Sequence, residues 1–311
     1  MKRVFSVLLS IAMVFTLAIP VLAYDTNTAT TPANTSEVIV YSPEFPDAYL
    51  EYGMPTTTPQ SFSMSNNSPL RTVSVTAFCK EAYNPETGEV LYSCLMNKDE
   101  VDEWRAAGSP TTPVPLASWG GVESRGELDI TLAVFELAND GSSPYNTNLW
   151  ARAQANWKKG PSWGDGLTRP SWGGDVIGIS WGKGLDGFKR AATATSNTGD
   201  AVDIALCDWE DTKFAAWEFI EQFGPHVGPV GGPNWASSIE CSTALGVPTS
   251  VYRQSTDIAM TYAHSYSDVF IDSVSVNVGI STGGPEAGLD ISFGTNADEW
   301  TIIAIADNVA L

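Results

Sequence analysis

The chain has 311 residues, 43% hydrophobic and 17% charged, which is too apolar and too aromatic for a disordered protein. Its 16 Lys+Arg stand against 36 Asp+Glu, for a formal net charge of −20. Phosphate backbones and anionic lipid repel such a chain, so the charge argues against nucleic-acid binding and polybasic membrane attachment.

Residues 1–23 read as a secretory signal peptide. Lys2 and Arg3 precede an apolar run from Val4 to Ile19, Pro20 breaks it, and Val21-Leu22-Ala23 offers a cleavage site. No later segment is apolar enough to cross a bilayer, so no membrane span is expected after cleavage. Residues 24–70 are rich in Thr, Ser, Asn and Pro and are expected to form a flexible arm, with Val38-Ile39-Val40-Tyr41 its one strand-like run. Residues 71–311 are long enough for a substantial core, either one large β domain or two small ones.

Thr72–Lys80 and Val90–Met96 alternate like strands about a turn-rich Asn84–Glu89, which predicts an N-terminal hairpin within 71–110. Centring that hairpin between Glu86 and Thr87 sets Tyr83 opposite Val90 and Cys79 opposite Cys94. A Cys79–Cys94 disulfide is therefore expected, with Cys207–Cys241 following by elimination. Lys98–Ala107 is a short helix stopped by Gly108 and Pro110. Two-residue alternation then recurs at Ile130–Val134, Leu149–Trp157, Val202–Leu206, Val274–Ile280, Leu289–Phe293 and Trp300–Ala306. Asp211–Phe223 fits a helix or a strand equally well. The expected fold is mainly β, an antiparallel β-sandwich with one or two short helices.

Several motifs carry less than they suggest. Gly178-Ile179-Ser180-Trp181-Gly182 matches the serine-hydrolase elbow, but Lys183–Gly187 cannot start the helix that an elbow requires. Gly182–Gly187 matches G-x-G-x-x-G and reads as a hairpin loop, because no helix follows to face a pyrophosphate. His264 alternates with Tyr262 and Tyr266 and reads as part of a packed aromatic face. Asp208, Glu210 and Asp211 read as a solvated turn in preference to a Ca²⁺ site. No metal site, cofactor or catalytic residue is assigned.

The tryptophans stand out. Trp150, Trp157, Trp163, Trp172 and Trp181 crowd one stretch of the chain. Trp157 falls on the apolar side of its strand, whereas Trp150 falls on the other side with Arg152 and Gln154. Trp163 and Trp172 sit in Ser-Trp-Gly triplets of a Gly/Pro-rich loop, where a large ring either packs back as a plug or meets a ligand. Planar rings can stack on sugars, so Trp150, Trp163 and Trp172 are the candidate binding residues, for an extracellular glycan or another surface component.

The segment Tyr145–Trp157, the loop Pro161–Pro170, the strand Asp175–Trp181 and the run Tyr262-Ala263-His264-Ser265-Tyr266 resemble uncharacterised secreted β-rich proteins of Gram-positive bacteria. The resemblance spans about residues 125–311, omits the Cys79/Cys94 hairpin and brings no activity or site residue with it. The sequence thus points to an exported, non-catalytic binding protein. A secreted hydrolase of glycan or peptide and a structural envelope protein stand as alternatives.

Overall fold

A computed structural model describes residues 39–53, 68–84, 90–110, 114–116, 120–137, 145, 147–159, 174–182, 184–207, 213–220, 222–223, 234–265, 271–276, 289–293 and 299–311. All of them belong to one unit, Ser36–Leu311. The signal segment, Trp163, Trp172, the group Asp208, Glu210 and Asp211, and Tyr266 lie outside the described residues.

In chain order the elements are β1 (Ile39–Tyr41), β2 (Leu50–Tyr52), β3 (Arg71–Tyr83), β4 (Val90–Leu95), α1 (Lys98–Ala106), β5 (Val114–Pro115), β6 (Val122–Leu137), β7 (Thr147–Lys159) and β8 (Gly174–Trp181). They continue with β9 (Asp186–Ser196), β10 (Ala201–Val202), β11 (Ile204–Leu206), β12 (Phe214–Ile220), β13 (Gln222–Phe223), β14 (Asn234–Val247), β15 (Ser255–Ser265), β16 (Ile271–Val276), β17 (Leu289–Phe293) and β18 (Glu299–Ala310). The strands build a β-sandwich. One sheet runs β1-β18-β15-β8-β12-β11, and the facing sheet runs β10-β9-β14-β7-β6-β3-β2, with β4, β5 and β13 paired at its margins. Every described pairing between strands is antiparallel.

Alternation decides which side chains enter the layer between the sheets. Val73, Val75, Leu128, Ile130, Leu132, Leu149, Ala153 and Ile239 come from one sheet, and Ile177, Ile179, Trp217, Phe219, Met260 and Ile302 come from the other. Asp211–Phe223, ambiguous by periodicity, contributes the strand β12. Ala215, Trp217 and Phe219 turn to the core, while Phe214 and Ala216 turn outward beneath β16–β17. The β16–β17 pair covers that outer face with Val274, Leu289 and Ile291. Gly178 lies under Leu289, where a Cβ would also press on the Ala215 carbonyl. Helix α1 opens on an Asn97–Glu100 capping box and packs Val101 and Trp104 onto Phe78, on the outer face of β3.

Three expectations change. Within the stretch read as an arm, residues 39–41 pair with β18 and residues 50–52 pair with β3; the apolar Ile39-Val40-Tyr41 run has an open sheet edge to complete. Gly182–Gly187 is not a hairpin loop. It is a corner that carries the chain from one sheet to the other, with Gly184 at φ +66° and the Trp181 indole donating to the Leu185 carbonyl at 3.0 Å. The chain also crosses between sheets at Asp203, because Val202 pairs with β9 and Ile204 with β12.

The cysteines change as well: none of the four is joined in a disulfide. Tyr83 does stand opposite Val90, as the turn predicts, but a bulge then takes up one residue of β4. Cys79 consequently faces Leu95, and Cys94 faces Lys80. A one-residue slip moves a side chain to the other face of the sheet, so Cys79 points into the core and Cys94 points away from it. Cys241 lies in the layer between the sheets, whereas Cys207 packs on the outer face beneath β16–β17. The second pair is thus separated by the thickness of a sheet.

Candidate functional site

Two arrangements hold polar groups in unusual places. The first is inside the sandwich. Glu81 extends from β3, Asp175 from β8 and His264 from β15, and all three are fully buried. The His264 Nε2 lies 3.0 Å from Glu81 Oε1, and its Nδ1 lies 3.1 Å from Asp175 Oδ2. Asp175 also accepts from the Tyr262 hydroxyl at 2.8 Å and from the Ser265 N–H at 3.1 Å. The His264 ring rests 4.8 Å from Trp300 and meets Trp157 edge-on at 6.3 Å. An imidazole protonated on both nitrogens satisfies both carboxylates at once.

The sequence reading of His264 as part of an aromatic face is therefore half of its environment. The other half is a carboxylate on each ring nitrogen. With no exposure at any of the three groups, substrate cannot reach them, and the arrangement is a polar rivet joining the two sheets. Ser180, the centre of the elbow-like motif, is the penultimate residue of β8, paired with Phe214 on one side and Ala259 on the other and fully buried. Its strand runs on to Trp181 with no strand-to-helix turn.

The second arrangement is on the outer face of the large sheet. Trp150, Arg152, Gln154 and Asn156 alternate outward along β7. Arg152, 4% exposed, pairs with Glu240 of β14 and lays its guanidinium 4.5 Å from the Trp150 ring centroid. Phe135 of β6 flanks the same indole at 5.9 Å. Gln154 donates to Asn156, and Ser238 donates to the same Asn156 oxygen at 2.6 Å. The Gln154 Oε1 is buried with no partner among the described residues.

Register shapes the surface beside Trp150. Trp150 stands opposite Ala244, and Ala244 stands opposite Lys189 of β9. In the next outward row Arg152 stands opposite Ser242, and Ser242 opposite Ala191. Small side chains at Ala244, Ser242 and Ala191 leave a trough between the half-buried Trp150 indole and the exposed Lys189, with Leu137 on its wall. Two strand spacings separate the backbones of its walls, about 10 Å. The trough holds about 290 Å³, near the small end of ligand-sized pockets.

Of the three candidate tryptophans, the structure places Trp150 at this trough. Trp163 and Trp172 lie outside the described residues. The sequence reading missed Lys189, Ser242 and Ala244; the only sign was a Phe188-Lys189-Arg190 run in a very acidic chain. No group of metal-ligating side chains occurs among the described residues. No helix among them is long and apolar enough to cross a membrane.

No family model matches the chain, and no curated protein matches it. Solved structures give distant likenesses. The NetB toxin of Clostridium perfringens in its membrane-inserted form is 8% identical over 58% of this chain and 91% of its own, with a TM-score of 0.28. The major pilin SpaA of Corynebacterium diphtheriae is 9% identical over 60% of this chain and 57% of its own, at 0.23. The T6 backbone pilin of Streptococcus pyogenes is 10% identical over 80% and 76%, at 0.25. Likeness at this level carries no argument about activity.

Proposed function

We propose that this is an exported, non-catalytic carbohydrate-binding protein that seats a sugar in the trough beside Trp150. The observation that carries the reading is the half-buried indole standing over a floor of small side chains, with its ring braced by Arg152 and Phe135. A braced ring loses little entropy on binding and presents a flat apolar face to the C–H side of a pyranose. The Ser242 hydroxyl on the trough floor offers hydrogen bonds to sugar hydroxyls. Export rests on the basic, apolar and Val-x-Ala organisation of residues 1–23.

A glycan array probed with the purified chain and with its Trp150→Ala variant tests this. Wild type is expected to bind a defined set of glycans, and the variant to lose at least tenfold in affinity, about 1.4 kcal/mol or more. No signal on any glycan, or an equal signal from the variant, overturns the proposal. Turnover of a bound polysaccharide by the purified chain would instead establish a hydrolase.

A further inference from the structure

We infer that the sugar seated beside Trp150 is acidic, a hexuronate whose carboxylate pairs with Lys189. This rests on the carbohydrate reading above and specifies its substrate class. The chain as a whole carries −20, yet the far wall of the trough is a cation. Lys189 and Arg190 both line the trough and both are exposed. Among the described residues neither belongs to an ion pair. Two acids described on the same surface are engaged elsewhere. Glu240 is held by Arg152, and Asp186 accepts from the Tyr145 hydroxyl at 2.9 Å.

The spacing suits one ring with one charged substituent. Ala244 lies between Trp150 and Lys189 in the cross-strand row, so the two large side chains face each other over a methyl group. A pyranose stacked on the indole directs its C5 substituent across that gap. In a neutral hexose that substituent is a hydroxymethyl group, which leaves the lysine wet and unpaired. In a hexuronate it is a carboxylate, which forms a charge-assisted hydrogen bond with the ammonium. The Ser242 hydroxyl lies on the trough floor within the same rows. An otherwise acidic protein keeps a free cation at this wall at the cost of attracting its own carboxylates. The gain is selection of an anion at a surface where an aromatic ring is placed to stack on a sugar.

The test is calorimetric titration of the full mature chain with oligosaccharides of galacturonate, mannuronate, guluronate and glucuronate, each beside its carboxyl-reduced neutral counterpart. At least one uronate is expected to bind tenfold or more tightly than its neutral counterpart, and to weaken as salt is raised from about 50 to 500 mM. Lys189→Gln is expected to erase that preference, and Lys189→Arg to retain it. Trp150→Ala is expected to weaken both forms. Equal binding of acidic and neutral forms, or an acid preference that survives Lys189→Gln, overturns the hexuronate assignment while leaving the carbohydrate reading intact. Absence of binding by every sugar, acidic and neutral, overturns both.

Discussion

His264→Phe is the sharpest probe of the fold. The phenyl ring keeps the stacking against Trp300 and Trp157 but deletes both nitrogens that meet Glu81 and Asp175. Asp175 retains the Tyr262 hydroxyl and the Ser265 N–H, while Glu81, a fully buried carboxyl, loses the imidazole nitrogen 3.0 Å from its Oε1. Removing one partner of a buried ion pair costs about 3–5 kcal/mol. For a unit of this size each kcal/mol lowers the melting temperature by about 2–4 °C, so a fall of roughly 6–20 °C is expected. Urea unfolding followed by tryptophan fluorescence, with calorimetry for the melting temperature, measures both quantities. The double variant Glu81→Leu/His264→Phe removes the buried acid as well and is expected to recover about 1–2 kcal/mol relative to His264→Phe. A loss under 1 kcal/mol for His264→Phe, or costs that simply add in the double variant, refutes the rivet.

Three further outcomes follow from the packing. Burial pushes the Cys94 thiol up to about 11 and the Cys207 thiol up to about 12, and raises Cys241 well above its ordinary value. At pH 8 Cys94 is then only about one part in a thousand thiolate. Native Ellman titration is expected to be slow at these three cysteines and unreduced denatured protein to show four thiols; fewer than four would mean bridged cysteines. At α1, the hydrogen bond from Arg105 holds the Glu51 carboxyl below its ordinary value. Burial opposes the same effect at Glu100, but Lys80 and the Asn97 N–H outweigh it. Depressed acids stabilise above their unfolded value, about pH 4.5, and lose that contribution as pH falls through the folded one. Protection against hydrogen exchange across residues 98–106, taken relative to the intrinsic rate at each pH, is therefore expected to fall below about pH 4.5, by the equivalent of about 1 kcal/mol or less because the Glu51 pair is well exposed; protection that is flat with pH would remove these pairs from the account of helix docking. Gly178→Val should press on Leu289 and on the Ala215 carbonyl, costing about 1–3 kcal/mol and loosening β16–β17 first. Unchanged exchange in residues 289–293 would contradict that.

Local order was legible residue by residue. Alternation in Ile130–Val134, Leu149–Trp157 and Leu289–Phe293 marks strands because a pleated chain turns every second side chain the same way, and each lies in a strand of the structure. Lys98–Ala107 reads as a helix from its own composition and stop signals, and α1 ends one residue short of that. Trp150 was separable from Trp157 by parity alone, since two residues that differ by an odd step on one strand face opposite ways.

What the chain could not declare is which strand lies beside which. β12 looks equally helical until β8 and β11 flank it. Cys79 and Cys94 appear matched until one bulged residue in β4 turns the second thiol to the other face. Glu81, Asp175 and His264 are far apart in the chain and meet only because the two sheets stack, and no local pattern marks a contact made across a core. Ala244 is an ordinary small residue in sequence; it becomes the floor of a trough only when β14 lies between Trp150 and Lys189. Short-range sterics and hydration act along the backbone and leave their period in the residues. Sheet order, register and the concavities between side chains depend on contacts between distant segments, and those exist only once the chain has closed on itself.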